Sequence, residues 1–208
     1  MYISSGLKII FITNIISFLN IGLAGFIITS LSARFIFPSI GSEGGAFYHI
    51  KSSPLSIKRF LFYKYIFYVI PFTILSLVLI TMSNKVLYVE GPMWWISVLT
   101  NLFITWIVVG LALAFGAIYA DFKAENKTVA MGSMGAILFL LFATAFQIII
   151  IFIGANPIYR IVKIWINNYA FNTSDFYLLI LWIIISVLLS VSMVIYFFQK
   201  GIRVLENS

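Results

Sequence analysis

The sequence predicts an all-α, polytopic membrane protein with about five transmembrane helices, a short cytoplasmic helix and an interfacial helix. Hydrophobic residues make up 62% of the 208 positions and charged residues only 9%, and the mean hydropathy is +1.11. A soluble domain is about half apolar and about a quarter charged. The apolar residues also form long runs, each with the roughly 20 residues that are needed to cross a bilayer.

Five such runs define the elements of a single transmembrane domain. The domain covers residues 1–208, with runs at 9–30, 60–82, 93–120, 131–155 and 176–198. Pro71 lies inside the second run, where its missing N–H predicts a kink, and Lys64 can extend its stem toward the interface. Trp94 and Trp95 suit a membrane interface at the start of the third run. Residues 158–171 contain Trp, Tyr, Arg and Lys and predict a helix that lies in the headgroup layer.

The distribution of Lys and Arg predicts which side of the membrane each loop faces. With residues 32–59 in the cytoplasm, nine of the 13 cations lie inside, namely Arg34, Lys51, Lys58, Arg59, Lys64, Lys123, Lys127, Lys200 and Arg203. Lys8, Lys85, Arg160 and Lys163 then lie outside, which fits the positive-inside rule. The N-terminus of this cell-membrane protein is therefore expected outside and its C-terminus in the cytoplasm. Cations that face anionic lipid explain the net charge of +7, so no nucleic-acid partner is expected.

The residues that catalysis or metal binding would need are missing from the sequence. The chain has no Cys and a single His, His49, and no second ligand lies within helical reach of it. We therefore expect no metal site and no nucleophile–base pair. No G-x-x-x-x-G-K-[ST] phosphate loop occurs, so neither a bound cofactor nor ATP hydrolysis by this chain is expected. Apart from Lys64, the apolar runs carry no ionisable residue, which argues against an intramembrane enzyme.

Small and polar residues lie on one face of three of the runs. The three sets are Thr13, Ser17, Asn20 and Ala24; Asn101, Thr105, Ala112 and Gly116; and Gly132, Ala136, Ala143 and Gln147. Their spacings of three, four and seven put each set on one side of a helix. Such faces let membrane helices approach closely, so packing is favoured, and a substrate-lining role is the alternative.

The interval that carries most of the polar features lies between the first and second runs, at residues 32–59. Ser42 as N-cap and Glu43 in a first turn predict a short helix that continues to Lys51. The two glycines after Glu43 weaken this helix in isolation, so a partner surface or the membrane must support it. Ser53 followed by Pro54 predicts a second helix start, which leads into the second run.

A shorter polar loop at residues 121–130 follows the third run. Its acidic and amide side chains include Asp121, Glu125 and Asn126. They either meet a basic partner surface or belong to a solvated turn.

Two blocks of the sequence resemble a known family. The first and more specific block is Ser32-Ala33-Arg34-Phe35-Ile36-Phe37-Pro38-Ser39-Ile40, followed by Glu43-Gly44, Ala46-Phe47, Ser52-Ser53-Pro54-Leu55-Ser56 and Lys64. The second block is Phe115-Gly116-Ala117 with Asp121-Phe122-Lys123-Ala124-Glu125-Asn126. These blocks resemble the bacterial ABC exporter permeases, a group similar to type-2 ABC exporters. The likeness extends over most of the chain, from about Ser30 to Arg203.

The resemblance implies a permease subunit that is driven by a separate ATP-binding cassette ATPase, with ATP bound by that partner. It assigns the coupling helix to residues 32–59. The implied ATPase-coupling residues are Glu43, Gly44, Phe47, Lys51 and Pro54, with Arg34 and Pro38 positioning the loop; Asp121, Glu125 and Asn126 form the second cytoplasmic loop. Members of the family are longer, so the chain resembles their C-terminal half. It is expected to be a truncated reading frame or a half-permease that needs another permease half or a second copy.

Two functions from different classes stay open at this point. The leading one is a transporter subunit, because of the loop motif, the topology and the absence of an energy source within the chain. The alternative is a non-transporting membrane scaffold or assembly factor, which would use the same packing faces.

Overall fold

The computed structural model describes residues 2–44, 46–120, 122, 133–167 and 173–207, and this part of the chain contains helices and no strand. The α-helices are α1 (Tyr2–Phe35), α2 (Ala46–Ser52), α3 (Ile57–Val86), α4 (Pro92–Ile118), α5 (Met134–Asn167) and α6 (Thr173–Asn207). By length and composition, five helices are long and apolar enough to cross a membrane, and they correspond in order to α1, α3, α4, α5 and α6. The prediction of an all-α membrane fold is therefore confirmed.

The structure differs from the prediction at the end of the fourth run. A separate interfacial helix is predicted at residues 158–171, but α5 continues through Pro157 as far as Asn167. Ile158 and Val162 are buried in the hydrophobic core. The apolar face of this segment therefore packs against protein instead of the headgroup layer, which is why it stays part of α5. The end of the predicted helix, at 168–171, lies outside the described residues.

Helix α4 is the centre of the bundle. It packs against each of the other four long helices, and between Ile104 and Ala117 every residue except Trp106 is buried. A helix that is apolar all round belongs in the interior of a bundle. Gly110 shows how closely its neighbours approach, since a Cβ there would lie 3.1 Å from Val194 Cγ1 of α6.

The small and polar faces point into the contacts between helices. The Asn101 amide donates to Ser76 Oγ at 2.8 Å and the Thr105 hydroxyl lies 2.9 Å from the same oxygen, which joins α4 to α3. Gln147 Nε2 donates to the Thr29 hydroxyl and joins α5 to α1. These bonds support the packing interpretation over a substrate-lining one, because a buried polar group in an apolar environment needs a partner. The Thr13 side chain and Gly132 lie outside the described part of the chain.

The long helices alternate in direction, so the bundle has two ends. At one end, Phe47 in the connection after α1 contacts Phe122 in the connection after α4, and Gly201 near the end of α6 lies against Ala117. We call this the loop end. At the opposite end, Gly91 before α4 lies against the Trp165 ring of α5.

Candidate functional site

The chain between α1 and α3 does not stay on the surface. Residues 36–40 turn inward after α1 and are all buried. Two short 3-10 helices form this region, Phe37–Ser39 and Gly41–Glu43. The Phe37 ring stacks on Phe139 of α5 with 6.5 Å between the centroids. Its backbone reaches α4 at Gly116, where a Cβ would overlap the Phe37 carbonyl oxygen. We call residues 36–40 the inserted turn, because they lie between α4 and α5.

The side chain of Lys64, from α3, holds this region in place. Lys64 Nζ lies 2.6 Å from Glu43 Oε1 and donates a hydrogen bond to the Ser39 carbonyl oxygen at 2.7 Å. The ammonium also lies 5.2 Å from the centroid of the Phe60 ring, which attracts it. The Lys64 and Glu43 side chains are only 15% and 30% exposed, so water screens this pair less than a pair on an open surface. We call Lys64, Glu43 and Ser39 the Lys64 clamp, which ties the loop to a point about two turns inside α3.

Three residues in and beside the clamp have roles that differ from those that the sequence predicts. Glu43 ends the second 3-10 helix and does not stand in the first turn of α2. Ser42 does not cap α2, because its hydroxyl donates to the Ser39 carbonyl at 3.0 Å. Lys64 has a role that the sequence does not predict, because its ammonium holds the loop. A carboxylate and a backbone carbonyl together hold the ammonium better than water at an open interface, since charge-assisted hydrogen bonds are the strong ones.

The start of α3 also differs from the prediction. The helix begins at Ile57 with Ser56 as its N-cap, whose hydroxyl oxygen accepts from the Arg59 N–H at 3.4 Å. The predicted start at Ser53 instead forms a local turn, in which the Ser53 hydroxyl oxygen accepts from the Leu55 N–H at 3.3 Å. Serine favours both arrangements, so its presence alone does not distinguish a cap from a turn.

Gly44 has a backbone role in this loop. Its φ is +51° and its ψ is −130°, a conformation that a residue with a side chain rarely adopts. The space around it is open, since the nearest atom to a Cβ added at this position would be the Phe122 carbonyl oxygen at 3.9 Å. Glycine is therefore required here by the turn that leads from the clamp to α2.

Helix α2 confirms the predicted short helix, and its Phe47 side chain packs against the bundle. Phe47 is 2% exposed, and its ring stacks on Phe122 with 4.4 Å between the centroids. It also meets the edge of the Phe60 ring at 6.4 Å. Aromatic pairs with these separations stabilise by about 0.5–1.5 kcal/mol beyond the area that they bury. The anchor therefore links α2 both to α3 and to the connection after α4.

The other side of α2 is open. Tyr48 is 64% exposed, and His49 and Lys51 are exposed as well. We call these three residues the outer face of α2. Among the residues that the structure describes, there is no group of three or more His, Cys, Asp or Glu that could hold a metal ion. Of the three residues of the outer face, the exposed Tyr48 is of a type that is enriched in protein interfaces.

The sequence of the chain matches the model of a known protein family. The sequence model of a family described as "Putative ATP-binding cassette" matches residues 1–208. The chain belongs to this family. No curated protein and no solved structure matches it. The relationship to ABC proteins that the two sequence blocks indicate is thus confirmed at the level of the family.

The description of this ABC family names the nucleotide-binding part of such systems. The chain itself carries helices of membrane-spanning length, and its sequence has no phosphate loop. These observations are compatible with a component of an ABC transporter system.

The implied coupling residues of this ABC family member differ in how exposed they are to a partner. Arg34, Lys51 and Pro54 are exposed, whereas Pro38 and Phe47 are buried. The two buried residues hold the loop and offer little surface to a partner. Glu43 is half-buried in the clamp, and Gly44 shapes the backbone. The second-loop residues Asp121, Glu125 and Asn126 lie outside the described residues.

Sequence reasoning missed the two contacts that hold the loop. The bond from Lys64 to the Ser39 carbonyl involves a backbone oxygen, which leaves no mark in the residue types. The contact between Phe47 and Phe122 joins two connections that are far apart in the sequence. Both phenylalanines stand in the blocks that carry the resemblance, but their spacing gives no sign that they meet.

The close approach at Gly116 gives the first prediction. A Cβ there would overlap a backbone oxygen of Phe37, whereas a Cβ at Gly22 would lie 3.7 Å from Ile151 Cδ1, an ordinary contact. We expect Gly116→Ala to lower the free energy of unfolding by about 1–3 kcal/mol, as overpacking does. Gly22→Ala is the matched control and should change it by less than about 1 kcal/mol. Thermal unfolding in detergent compares the two variants, and equal stability would contradict the inserted turn.

The clamp gives the second prediction. Lys64→Met keeps the stem but leaves Glu43 without its partner and the Ser39 carbonyl with the Ser42 hydroxyl alone, so we expect a loss of about 1–3 kcal/mol in the free energy of unfolding. Glu43→Gln keeps the bond to Ser39 and should cost about 1 kcal/mol or less. Lys200→Met removes an exposed cation at the same end of the bundle and serves as the control.

Thermal unfolding of these variants is combined with thiol reactivity. Because the chain has no cysteine and the Ser39 side chain is buried, a single cysteine at position 39 reports on opening of the loop. Its reactivity should rise in Lys64→Met and stay unchanged in Lys200→Met. The clamp has no structural role if the Lys64 and Lys200 variants behave alike in both measurements.

Proposed function

We propose that this chain is the transmembrane permease subunit of an ABC-type exporter, and that a separate ATP-binding cassette ATPase docks on α2 within the 32–59 stretch. The observation that carries the proposal is the position of α2, which lies outside the bundle but is fixed to it by Phe47 and, through the loop, by the Lys64 clamp. The family match supports an ABC system, and the five helices of membrane-spanning length support a membrane subunit within it.

Movement of α2 has two routes into the bundle. Phe47 rests against Phe60 of α3, and the clamp holds α3 again at Lys64. The inserted turn adds the second route, because Phe37 touches α4 at Gly116 and packs on α5. Closely packed protein transmits displacement instead of absorbing it. A push on α2 by a partner would therefore reach α3, α4 and α5 together.

The composition of the outer face of α2 indicates what kind of surface on the ATPase would bind it. Tyr48 and Lys51 are exposed, and Arg34 is exposed at the end of α1. Glu43, the nearby acid, is already bound by Lys64. Tyrosine and arginine are enriched among the residues that dominate binding energy in protein interfaces. The ATPase is therefore expected to offer an apolar groove with an acidic rim.

In this proposal, the energy and the second half of the pathway come from other subunits. ATP is bound and hydrolysed by the partner, since this chain has no phosphate loop. The apolar surfaces of α3 and α6, such as Phe67 and Leu188, are largely exposed in the single chain. Lipid or a second permease subunit, either another half or another copy, would cover them.

Orientation gives the third prediction. We propose that the loop end faces the cytoplasm, because it holds most of the cations, and that the N-terminus lies outside. Single cysteines at Lys51 and Ser208 should then be protected from an impermeant thiol reagent in intact cells, while one at Lys85 should be labelled. Permeabilised cells provide the control, since the first two should become labelled there. Labelling at Lys51 in intact cells with protection at Lys85 would invert the orientation.

Docking gives the fourth prediction. Tyr48→Asp and Lys51→Glu change exposed side chains, so expression and thermal stability should stay within about 0.5 kcal/mol of the parent. Both variants should reduce co-purification of the ATPase about ten-fold or more, as expected when a central interface residue is lost. Lys85→Glu at the opposite end is the matched charge change and should leave association and ATP turnover unchanged.

The same experiment distinguishes the scaffold alternative. Purified chain without the ATPase should not turn over ATP, while the assembled complex should. A scaffold or assembly factor would bring down no nucleotide-binding subunit, and its association with other proteins would not depend on Tyr48 or Lys51. Substitutions at Glu43 or Gly44 are less suitable probes, because they would disturb the clamp or the turn before any partner binds.

A further inference from the structure

A lateral groove runs between α3 and α6. Both helices pack mainly against α4 and make few contacts with each other, which leaves a cavity of about 800 Å³ between the start of α3 and the end of α6. Its lining from α3 includes Lys58, Arg59 and Phe62, and its lining from α6 includes Phe198 and Gln199. The groove opens sideways at the loop end, since Lys58, Arg59 and Phe62 are all exposed.

The mouth of the groove carries two cations, Lys58 and Arg59. Neither Lys58 nor Arg59 forms an ion pair within the described part of the chain, where Glu43 is bound by Lys64. Both stand in the first turn of the 30-residue α3, where the helix dipole adds partial positive charge. The Ser56 hydroxyl and the Gln199 amide complete the polar rim. The rim is therefore suited to an anion.

Below this rim, the walls become apolar. Phe62, Val194 and Ile195 line the groove next to its polar mouth. A second cavity of about 200 Å³ continues from it, sharing Tyr65, Val194 and Ile195 and adding Phe103 and Trp106 of α4. On α6 the lining runs from Ile202 back to Ser190, about 18 Å at 1.5 Å per residue. This is slightly more than half of the ~30 Å hydrocarbon thickness of a bilayer, close to the depth of one leaflet.

We propose that this groove is a binding site for an anionic glycerophospholipid from the surrounding membrane leaflet. Lys58 and Arg59 bind the phosphate of the headgroup, and one acyl chain lies along Phe62, Val194 and Ile195 toward Trp106. A zwitterionic lipid carries the same phosphate, but its ammonium group would add a positive charge beside the two cations. A small soluble anion would leave the apolar channel unfilled. Basic pockets between transmembrane helices are a common way of binding acidic headgroups.

The site does not depend on the proposed permease function. It lies on the lateral surface of the helix bundle, whereas the outer face of α2 consists of Tyr48, His49 and Lys51. A bound lipid there would brace the start of α3 against the end of α6.

Native mass spectrometry of the full chain in detergent tests the site. The purified protein is offered equal amounts of palmitoyl-oleoyl phosphatidylglycerol and palmitoyl-oleoyl phosphatidylcholine. We expect one phosphatidylglycerol to be retained with at least about ten-fold preference. The double variant Lys58→Gln/Arg59→Gln should lose this preference. The double variant Lys200→Gln/Arg203→Gln removes the same charge from exposed residues of α6 that do not line the groove, and it should keep the preference.

A second variant tests the apolar part without changing charge. Ile195 is 50% exposed in the wall of both cavities, so Ile195→Trp should fill the channel without disturbing the core and should reduce retention of phosphatidylglycerol. Inorganic phosphate in excess should not displace the lipid.

Four results of the lipid-binding measurements would overturn the proposal. They are equal retention of the two lipids, equal loss in the two double variants, full retention in Ile195→Trp, and displacement by inorganic phosphate. A groove filled by a second copy of the chain would give a dimer that binds neither lipid at this position, which also contradicts the proposal. Because no ATPase is present in the assay, none of these outcomes depends on the coupling mechanism.

Discussion

The position of the loop between α1 and α3 depends on the ammonium group of Lys64. The inserted turn buries backbone as well as apolar side chains, and a buried carbonyl without a partner is costly. The Ser39 carbonyl accepts from the Ser42 hydroxyl and from Lys64, and Lys64 binds the Glu43 carboxylate with the same ammonium group. One side chain from α3 therefore fixes the inward turn and also the point from which the chain leaves it. The Gly44 turn and α2 come directly after Glu43, so their position depends on this contact as well.

The clamp can hold the loop only because α4 leaves space for the inserted turn to pack against it. Gly116 lets the Phe37 backbone approach α4 directly, and the Phe37 ring then reaches Phe139 of α5. The same helix carries Asn101 and Thr105, whose hydrogen bonds to Ser76 hold α3 in place. In an apolar environment, packing of small residues and interhelical hydrogen bonds are the main sources of helix association. The central helix thus sets both the bundle and the surface on which the loop rests.

Much of the fold can be predicted from features that are local in the sequence. Long apolar runs predict the membrane helices, and the spacing of Asn101 and Thr105 predicts a packed face, because these signals depend only on helical periodicity. The end of α5 was harder to predict, since the amphipathic pattern after Pro157 fits a membrane interface as well as a protein contact. The short helix α2 could be predicted, but its N-cap could not. The Ser42 hydroxyl bonds to the Ser39 carbonyl in the loop instead of capping the helix. The clamp depends on a backbone oxygen and a cation that are distant along the chain, and no local pattern reveals such a pair.

In the proposed function, α2, held by the clamp and by Phe47, is the surface through which an ATPase acts on the helices. Site-specific photo-crosslinking in cell membranes tests it most directly, with a photoreactive phenylalanine analogue placed at Tyr48 and, in a separate protein, at Tyr88. Both side chains are largely exposed, but they lie at opposite ends of the bundle. We expect a crosslink from position 48 to a nucleotide-binding ATPase and none from position 88. Crosslinks from position 48 that contain no ATPase, or an ATPase captured equally from both positions, would contradict it.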